Sequence, residues 1–260
     1  MMKLEVRDGS YAYKKDQYIF RNVSFSLGEK QILTVLGQNG IGKTTLLKCM
    51  MGILPWKSGG TYVDGTKLEN PRKFKEIGYV PQAHPLSFSY TVRELVAMGR
   101  AKFVPPFAQP SKSDKERIEE AMEMAHVINF ADRKCTELSG GQLQLAFVAR
   151  ALAGQPKVLI LDEPESHLDF KNQYLVLDLI EKLVREKGIS CIMNTHFPEH
   201  ALQLSDLTLM MGKNKFSFGE TEEVLTEENV EEFFGVRARI LDLGAENQHK
   251  KAFVIMGSLE

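Results

Sequence analysis

Hydrophobic and polar positions alternate near the start of the chain and then give way to a continuous apolar run. The alternating part predicts an antiparallel sheet. The apolar run from Gln31 to Leu36 ends at a glycine-rich loop, residues 37–42, and a helical pattern follows from Lys43 to Met51. This order predicts one strand, loop and helix unit of an α/β fold. The predicted strands of the antiparallel sheet are Lys3 to Arg7, Tyr18 to Phe20 and Val23 to Leu27.

Helical periodicity dominates the middle of the chain, from about Tyr90 to Gly154. Thr91 and Glu94 have the spacing of a capping box, which marks the start of a helix. The block lies between the first strand, loop and helix unit and a second buried strand, Val158 to Leu161. We therefore expect a helical subdomain, at about residues 84–155, inserted into the α/β core.

The rest of the chain predicts a second repeat and a hairpin. A helix from about Asn172 to Lys187 stops at Gly188 and leads into a strand from Ile189 to Asn194. The sequence thus predicts one domain over residues 1–245 and a tail over 246–260, whose last four residues are typical of a tag remnant. The hairpin strands are Leu207 to Met211 and Lys215 to Phe218, and short acidic helices start at Thr221 and Thr226 and end near Gly235.

Composition narrows the class of protein. The 260 residues carry 33 Lys and Arg against 34 Asp and Glu, and 43% of them are hydrophobic, as in ordinary globular proteins. Because the charge is balanced, the net charge gives no electrostatic reason to expect binding of nucleic acid. No segment reaches the roughly 20 apolar residues of a membrane span, and the N-terminus has no apolar signal core. Three dispersed cysteines, Cys49, Cys135 and Cys191, indicate a reducing, cytoplasmic environment.

A phosphate-binding loop is the strongest candidate for chemistry. Residues 37–45 fit the spacing G-x-x-x-x-G-K-[ST], and they lie between a strand and a helix, as that motif requires. Glycines let backbone N–H groups turn toward an anion, and the helix N-terminus adds partial positive charge. Lys43 is expected to reach the β- and γ-phosphates, and the Thr44 hydroxyl to bind Mg²⁺. A glycine turn that only connects two elements is the weaker alternative.

Two carboxylates follow the second buried strand. Asp162 and Glu163 stand at its carboxyl end, where open α/β sheets bind their ligands. Adjacent residues of a strand point to opposite faces, so the two acids are expected to act separately. Asp162 suits the Mg²⁺ shell and Glu163 suits polarising an attacking water. Taken alone, the pair is equally consistent with capping the next helix.

A second anion-binding helix start is predicted at Leu138-Ser139-Gly140-Gly141-Gln142, which leads into a helical run to Leu152. A small hydroxyl and two glycines open a helix here, as they do at the phosphate loop. Taken alone, the segment is a loop and a helix cap. Two such helix starts in one chain favour a nucleotide-binding protein.

From Tyr13 to about Val236 the sequence resembles the nucleotide-binding subunits of ABC transporters. Residues 37–45 resemble Walker A, residues 158–163 resemble Walker B, and residues 138–142 are identical to the family signature. The resemblance implies a P-loop NTPase core with an N-terminal antiparallel β subdomain. The ATP-binding residues that it implies are Tyr13, Gly37, Gln38, Asn39, Gly40, Ile41, Gly42, Lys43, Thr44 and Thr45.

The same resemblance implies the remaining roles. Glu163, His196 of the H-loop and Gln82 of the Q-loop would be catalytic, and Thr44, Gln82 and Asp162 would hold Mg²⁺. Asp169 belongs to the D-loop. His167 is interpreted as structural. The signature residues that would bind the ATP of a partner subunit are Ser139, Gly140, Gly141 and Gln142.

The resemblance also implies partners. Family members work as homodimers docked on an integral membrane permease dimer, here on the cytoplasmic face, and residues 90–100 are similar to those of importers of iron-siderophores, haem, cobalamin and related metal chelates or oxyanions. Such importers act with a substrate-binding protein. Leu143 and Leu145 replace the arginines usual after the signature, and Glu165 replaces a threonine. A soluble ABC ATPase of iron–sulfur cofactor assembly is the alternative.

Overall fold

The computed structural model describes residues 2–14, 17–70, 74–82, 89–105, 108–244 and 251–258. Contacts divide the chain into two compact units. The first comprises residues 1–74 and 190–260, and the second comprises residues 75–189. The helical stretch predicted from the sequence falls in the second unit, together with two strands and a further helix. The boundaries of the inserted subdomain remain a prediction.

Strands and helices alternate between residues 158 and 212, in the order typical of an α/β protein. The strands are Leu4–Lys14 (β1), Gln17–Leu27 (β2), Ile32–Gly37 (β3), Ser58–Val63 (β4), Thr66–Lys67 (β5), Ile77–Val80 (β6), Val158–Asp162 (β7), Ser190–Thr195 (β8), Leu207–Gly212 (β9), Lys215–Glu220 (β10), Val236–Asp242 (β11) and Lys251–Ser258 (β12). The helices are Lys43–Met50 (α1), Val92–Ala97 (α2), Lys112–Met124 (α3), Gly140–Ala153 (α4), Phe170–Arg185 (α5), Pro198–Leu204 (α6), Thr221–Val224 (α7) and Glu227–Phe234 (α8).

The first unit contains an antiparallel sheet and parallel strands. β1 pairs antiparallel with β2 and with β4, and β4 pairs with β5. β3 lies between β8 and β9 and is parallel to both, while β10 pairs antiparallel with β9. All six residues of β3 are buried, as expected for a parallel strand covered on both faces. The predicted antiparallel sheet is therefore present, but two long strands with register shifts replace the three short segments.

The second unit pairs β6 and β7 in parallel and surrounds them with helices. Thr91 caps α2, and Glu94 completes the capping box that the sequence predicted. Ser111 and Asp114 form the same motif at α3. Asp114 is also paired with the buried Arg100, whose Nη2 lies 2.8 Å from Asp114 Oδ1. The hydroxyl of Ser111 and the Arg100 guanidinium hold the pKa of Asp114 below its ordinary value.

Several elements were not predicted. The strands β4, β5 and β6 were missed because they are short and have no clear alternation. β11 and β12 were also missed. They pair with each other, and β12 lies in the segment 246–260 that was predicted to be a tail, whereas β11 lies within the predicted domain. Thr226 caps α8 and Gly235 ends it, as expected. α7 begins at Thr221, also as expected, with Glu220 as its N-cap and the Thr221 hydroxyl 3.0 Å from that of Thr208.

The three cysteines all lie in the interior of the protein. Cys49, Cys135 and Cys191 are buried thiols that form no disulfide. Burial raises the pKa of Cys49 to about 12, which keeps its thiol protonated and unreactive. Among the residues that the structure describes, no helix is both long and apolar enough to cross a membrane.

Candidate functional site: a nucleotide-binding centre

The phosphate loop turns from the end of β3 into α1. Lys43 is almost fully buried, and its Nζ donates to the carbonyl oxygens of Gly37 (2.7 Å) and Gln38 (3.2 Å). The ammonium group is therefore held inside the loop that it is predicted to serve. Gln38, Asn39 and Gly40 are exposed at the tip. An anion that enters the loop meets a cation already fixed in place.

Gly42 gives α1 a start that carries no side-chain cap. Its φ of 112° lies in the region that favours glycine, and a Cβ at this position would lie 2.4 Å from Ile19 Cγ2. Glycine has no side-chain oxygen to cap the N–H groups of the first turn, so that turn is arranged to accept an external anion. The sequence requires glycine here for backbone shape as well as for space.

The side chain of Gln38 has a role that the sequence did not indicate. Its Nε2 donates to the carbonyl oxygens of Phe233 (3.2 Å) and Phe234 (3.0 Å), in the last turn of α8. Last-turn carbonyls have no partner within their own helix, and they accept readily from such donors. Gln38 therefore anchors the phosphate loop to α8, while its backbone stays available for the predicted role.

Tyr13 lies beside the first turn of α1. Its hydroxyl is 3.4 Å from the Thr45 hydroxyl, and its ring meets Tyr11 edge-on with centroids 5.1 Å apart. The side chain is nevertheless 64% exposed. An aromatic ring that is supported on one side and open on the other is suited to stacking on a planar base. The predicted contact with adenine remains a prediction.

His196 follows β8, which is the immediate neighbour of β3. Leu36 and Thr195 are paired in register, so His196 leaves the sheet at the same edge as the phosphate loop. Its ring is half-buried, with its centroid 4.0 Å from that of Phe197. The first unit therefore brings Tyr13, the phosphate loop and His196 to one end of its sheets.

The two acids of the second unit differ in their backbone as well as in their partners. Asp162 is the last residue of β7, is 7% exposed and accepts a hydrogen bond from the Tyr79 hydroxyl at 3.1 Å. Glu163 lies beyond the strand with a φ of 47° and accepts from the Ser166 hydroxyl at 3.0 Å. The expectation that strand alternation separates them was wrong. The left-handed backbone conformation of Glu163 separates them instead. Glu165, two residues after Glu163, is fully buried.

Gln82 follows β6, which is parallel to β7 and in register with it. Its Nε2 lies 3.3 Å from Nδ1 of His167. The sequence interpretation left His167 as structural, whereas the structure places it against the Q-loop glutamine. With the amide nitrogen directed toward the imidazole, the amide oxygen of Gln82 is left for a cation or a water.

The signature segment and the D-loop are packed together in this unit. Ser139 caps α4 with a complete capping box, since its Oγ accepts from Gln142 N and its N donates to Gln142 Oε1. Asp169 caps α5 by accepting from Asn172 N at 2.8 Å. A Cβ on Gly141 would lie 2.4 Å from the Asn172 side chain, so only glycine allows the two helix starts to approach this closely.

Each of the three residues predicted to hold Mg²⁺ carries an oxygen donor. The Thr44 hydroxyl, the Asp162 carboxylate and the Gln82 amide supply hard oxygen atoms, which Mg²⁺ prefers. The Asp162 carboxylate also accepts a hydrogen bond from the Tyr79 hydroxyl, through Oδ2. Thr44 belongs to the first unit, and Asp162 and Gln82 belong to the second.

Two residues with structural support were missed by sequence reasoning. Tyr79 lies three residues before Gln82, and its hydroxyl donates a hydrogen bond to Asp162, which is 83 positions further along the sequence. Burial raises the pKa of Tyr79 above its ordinary value, and the neighbouring Asp162 charge adds to the effect. Ser166 is the hydrogen-bond donor to Glu163. The sequence offered one signal for Tyr79 and Ser166, which is that each lies next to a predicted motif.

The fold and its sites define a nucleotide-binding α/β protein with a phosphate loop. The family model described as "ABC transporter" matches residues 20–166, which is more than half of the chain. The chain therefore belongs to the ABC transporter family as an ATP-binding domain, and this family hydrolyses ATP. The predicted fold class is confirmed.

Relatives whose functions are named cover nearly the whole chain. It is 36% identical over 231 residues to a molybdate import ATP-binding protein of Haemophilus influenzae, covering 89% of this chain and 87% of the relative. It is 33% identical to a probable iron chelatin transport ATP-binding protein of Helicobacter pylori, with 88% and 91% coverage. A chain in an inward-facing structure of a metal-chelate type ABC transporter is 33% identical in sequence and superposes with a TM-score of 0.88. The match covers 98% of this chain and 97% of the transporter chain.

Proposed function

We propose that this chain is the ATP-hydrolysing subunit of an importer for an iron-siderophore, haem, cobalamin or related metal chelate or oxyanion. The observation that carries the proposal is the nearly complete coverage of the chain by a metal-chelate type transporter structure and by a molybdate import relative. The permease and the substrate-binding protein would be separate chains, with this subunit on the cytoplasmic face of the membrane.

ATP would be held by the phosphate loop and cleaved with the help of the second unit. Lys43 and the first turn of α1 would bind the β- and γ-phosphates, and Tyr13 would stack on adenine. Glu163 would accept a proton from the attacking water while Ser166 keeps its carboxylate oriented. His196 would contact the γ-phosphate. Mg²⁺, held by Thr44, Asp162 and Gln82, would neutralise charge on the phosphates.

A second copy of the chain would complete each site. The α4 start is exposed at Ser139 and Gly140, so it can face the ATP bound by another subunit. Two ATP molecules held between two chains would close the homodimer, and hydrolysis would release it. This cycle converts binding energy into movement of the permease.

A test of the homodimer uses the substitution Glu163→Gln. The variant should keep ATP affinity, lose about 10²–10⁴-fold in hydrolysis rate and accumulate as a dimer with ATP and Mg²⁺, because it lacks the proton acceptor. Size-exclusion chromatography measures the dimer. Glu186→Gln, on the loop after α5, is the matched control and should hydrolyse ATP as the wild type does. Full hydrolysis by Glu163→Gln would remove Glu163 from its proposed role.

The importer role is tested by copurification with the candidate permease encoded beside this chain. The complex should show ATPase activity that rises when a loaded substrate-binding protein is added. Metal chelates and molybdate are tested in parallel, since the relatives include both classes. The alternative predicts that genes for iron–sulfur assembly, and not a permease gene, lie beside the gene of this chain. If this chain copurified with the products of those genes, the importer proposal would be overturned in favour of cofactor assembly.

A further inference from the structure

The last turn of α8 is closed by hydrogen bonds from outside the helix. The last four carbonyl oxygens of an α-helix lack partners within the helix, and in α8 they belong to residues 231–234. The Gly235 N–H donates to the first of these carbonyls at 2.9 Å, and Lys215 Nζ donates to the second at 3.1 Å. Gln38 Nε2 donates to the last two, at 3.2 and 3.0 Å. One side chain of the phosphate loop therefore closes half of the end of α8.

The amide of Gln38 is matched to this position by its chemistry. Its nitrogen carries two hydrogens, one for each of the two carbonyls. Because a carbonyl oxygen only accepts, the amide must present its nitrogen, and its orientation is fixed. The amide also places partial positive charge against the negative end of the α8 dipole. A carboxylate of the same size would meet the carbonyls with repulsion, so the contact depends on the donor and not on size alone.

The backbone of the same residue helps to hold the lysine of the loop. The Gln38 carbonyl accepts from Lys43 Nζ at 3.2 Å and from Ile41 N at 3.3 Å. The tip of the loop, residues 38–40, is exposed to solvent, and an exposed segment loses conformational freedom when it binds a ligand. Because the contact with α8 orders Gln38 before ATP arrives, part of that entropic cost falls on folding instead of on binding.

The end of α8 is also packed with the C-terminal ribbon, which is the pair of strands β11 and β12. Phe233 of α8 is buried in a hydrophobic cluster with Leu36 of β3 and Ala238 of β11, and Phe253 of β12 packs against the same cluster. All of these residues belong to the first unit. The helix end that holds Gln38 therefore shares one core with the strand that leads into the phosphate loop and with the ribbon.

We propose that Gln38 is a positioning residue that makes ATP affinity depend on the packing of α8 and the C-terminal ribbon. The inference rests on the proposed function, because it takes the phosphate loop as the ATP site. Ordering of the loop by α8 raises ATP affinity, and thermodynamic linkage requires that ATP stabilise the end of α8 by the same free energy. Changes in the ribbon then alter ATP affinity without any contact with the nucleotide.

Substitutions of Gln38 test the positioning role. Gln38→Met keeps the length of the side chain and removes the donor, so the Kd for ATP should rise about three- to tenfold, because two neutral hydrogen bonds are lost. Gln38→Glu should raise the Kd further. The kcat at saturating ATP should stay within about twofold of the wild-type value, since the contact orders the loop before binding. Gln203→Met, at an exposed position of α6, is the matched control and should bind ATP as the wild type does. An unchanged Kd in Gln38→Met would overturn the positioning role.

Lys215→Met approaches the same contact from the other side of α8. It removes the donor to the Glu232 carbonyl and should raise the Kd for ATP about two- to fourfold, because the helix end is loosened. Lys213→Met, at an exposed position two residues away, controls for the loss of a positive charge and should not change the Kd. In a Gln38→Met background, Lys215→Met should have no further effect, because the loop is already released from α8. Fully additive effects would contradict the link.

Hydrogen exchange measures the linkage directly. Saturating ATP and Mg²⁺ should slow amide exchange in residues 231–241 several-fold in the wild type and in Gln203→Met, and should leave it unchanged in Gln38→Met. Equal protection in Gln38→Met would show that ATP does not act on α8 through this side chain. Failure of the wild-type chain to bind ATP would overturn the proposed nucleotide site itself, and the titration of the wild type shows this in a separate arm.

Discussion

The starts of α1 and α4 look alike in sequence and differ in structure. Both starts combine glycines with a small hydroxyl residue: Gly42 precedes α1 and Thr44 lies in it, while Ser139 precedes α4 and Gly140 and Gly141 begin it. At α1, Gly42 provides no capping oxygen and Lys43 is folded into the loop. At α4, Ser139 and Gln142 satisfy each other's backbone N–H groups in a complete capping box. One helix start is arranged for an external anion, and the other is already capped by its own side chains.

The difference between the two helix starts predicts two separate steps, which are ATP binding at α1 and the later engagement of α4 from a second copy of the chain. An uncapped helix start next to a fixed lysine holds phosphates by itself. A capped start gains little from an anion unless Ser139 changes partners, since its hydroxyl already accepts from Gln142 N at 3.3 Å. We therefore expect ATP to bind first at α1 and to engage α4 of another copy only when the dimer closes.

Removing Lys43 should have the largest effect. Lys43→Ala deletes the cation at the α1 start, and ATP affinity should fall about 100-fold, because a charged hydrogen-bond donor to phosphate contributes roughly 3 kcal/mol. Lys48→Ala, in the last turn of the same helix, should bind nearly as the wild type does. Calorimetric titration with ATP and Mg²⁺ measures both. Equal losses of ATP affinity in the two variants would mean that the substitution of Lys43 acts by perturbing the helix α1 and not by removing a contact with phosphate.

Substitutions of Ser139 should separate the cap from the predicted contact with ATP. Ser139→Asp keeps a good capping residue but adds negative charge, so Tm should stay close to the wild-type value while ATP-dependent dimerisation of Glu163→Gln is lost. Ser139→Ala removes the cap and should cost about 1 kcal/mol of stability. Thermal unfolding and size-exclusion chromatography give the two readouts. A Ser139→Asp dimer of normal affinity would exclude contact between this position and ATP.

The sequence predicted most of α1 and its loop because every requirement there is local. The strand, the glycines and Lys43 lie within about a dozen consecutive residues, so spacing alone carries the information. The anchor of Gln38 on α8 and the bond between Tyr79 and Asp162 span 195 and 83 positions. Such contacts depend on tertiary packing that no local pattern records. The turn at Glu163 was missed for a related reason, since a non-glycine residue rarely adopts positive φ.

Glycine substitutions in the loop should give intermediate effects. Gly42→Ala forces a Cβ against Ile19 in a backbone region that alanine avoids, so both stability and ATP affinity should fall, the stability by about 1–3 kcal/mol. Gly40 also has positive φ, at 79°, but no heavy atom lies within 4 Å of a Cβ built there. Gly40→Ala should therefore cost only about 1 kcal/mol. Denaturant unfolding of the pair tests whether space or backbone shape makes Gly42 necessary.

Tyr13 should give the smallest effect and the sharpest view of the α1 region. Tyr13→Ala removes the exposed ring and should weaken ATP binding by about three- to tenfold, because a stacking contact contributes roughly 0.5–1.5 kcal/mol. Tyr13→Phe removes only the hydroxyl that lies 3.4 Å from Thr45 and should bind ATP within about twofold of the wild type, as a long hydrogen bond contributes little. Titration with ATP and with inorganic triphosphate separates base stacking from phosphate binding. Tyr13→Ala should lose affinity for ATP and keep its affinity for triphosphate. An equal loss for both ligands would mean that Tyr13 acts on the start of α1 through Thr45 and not by stacking on the base.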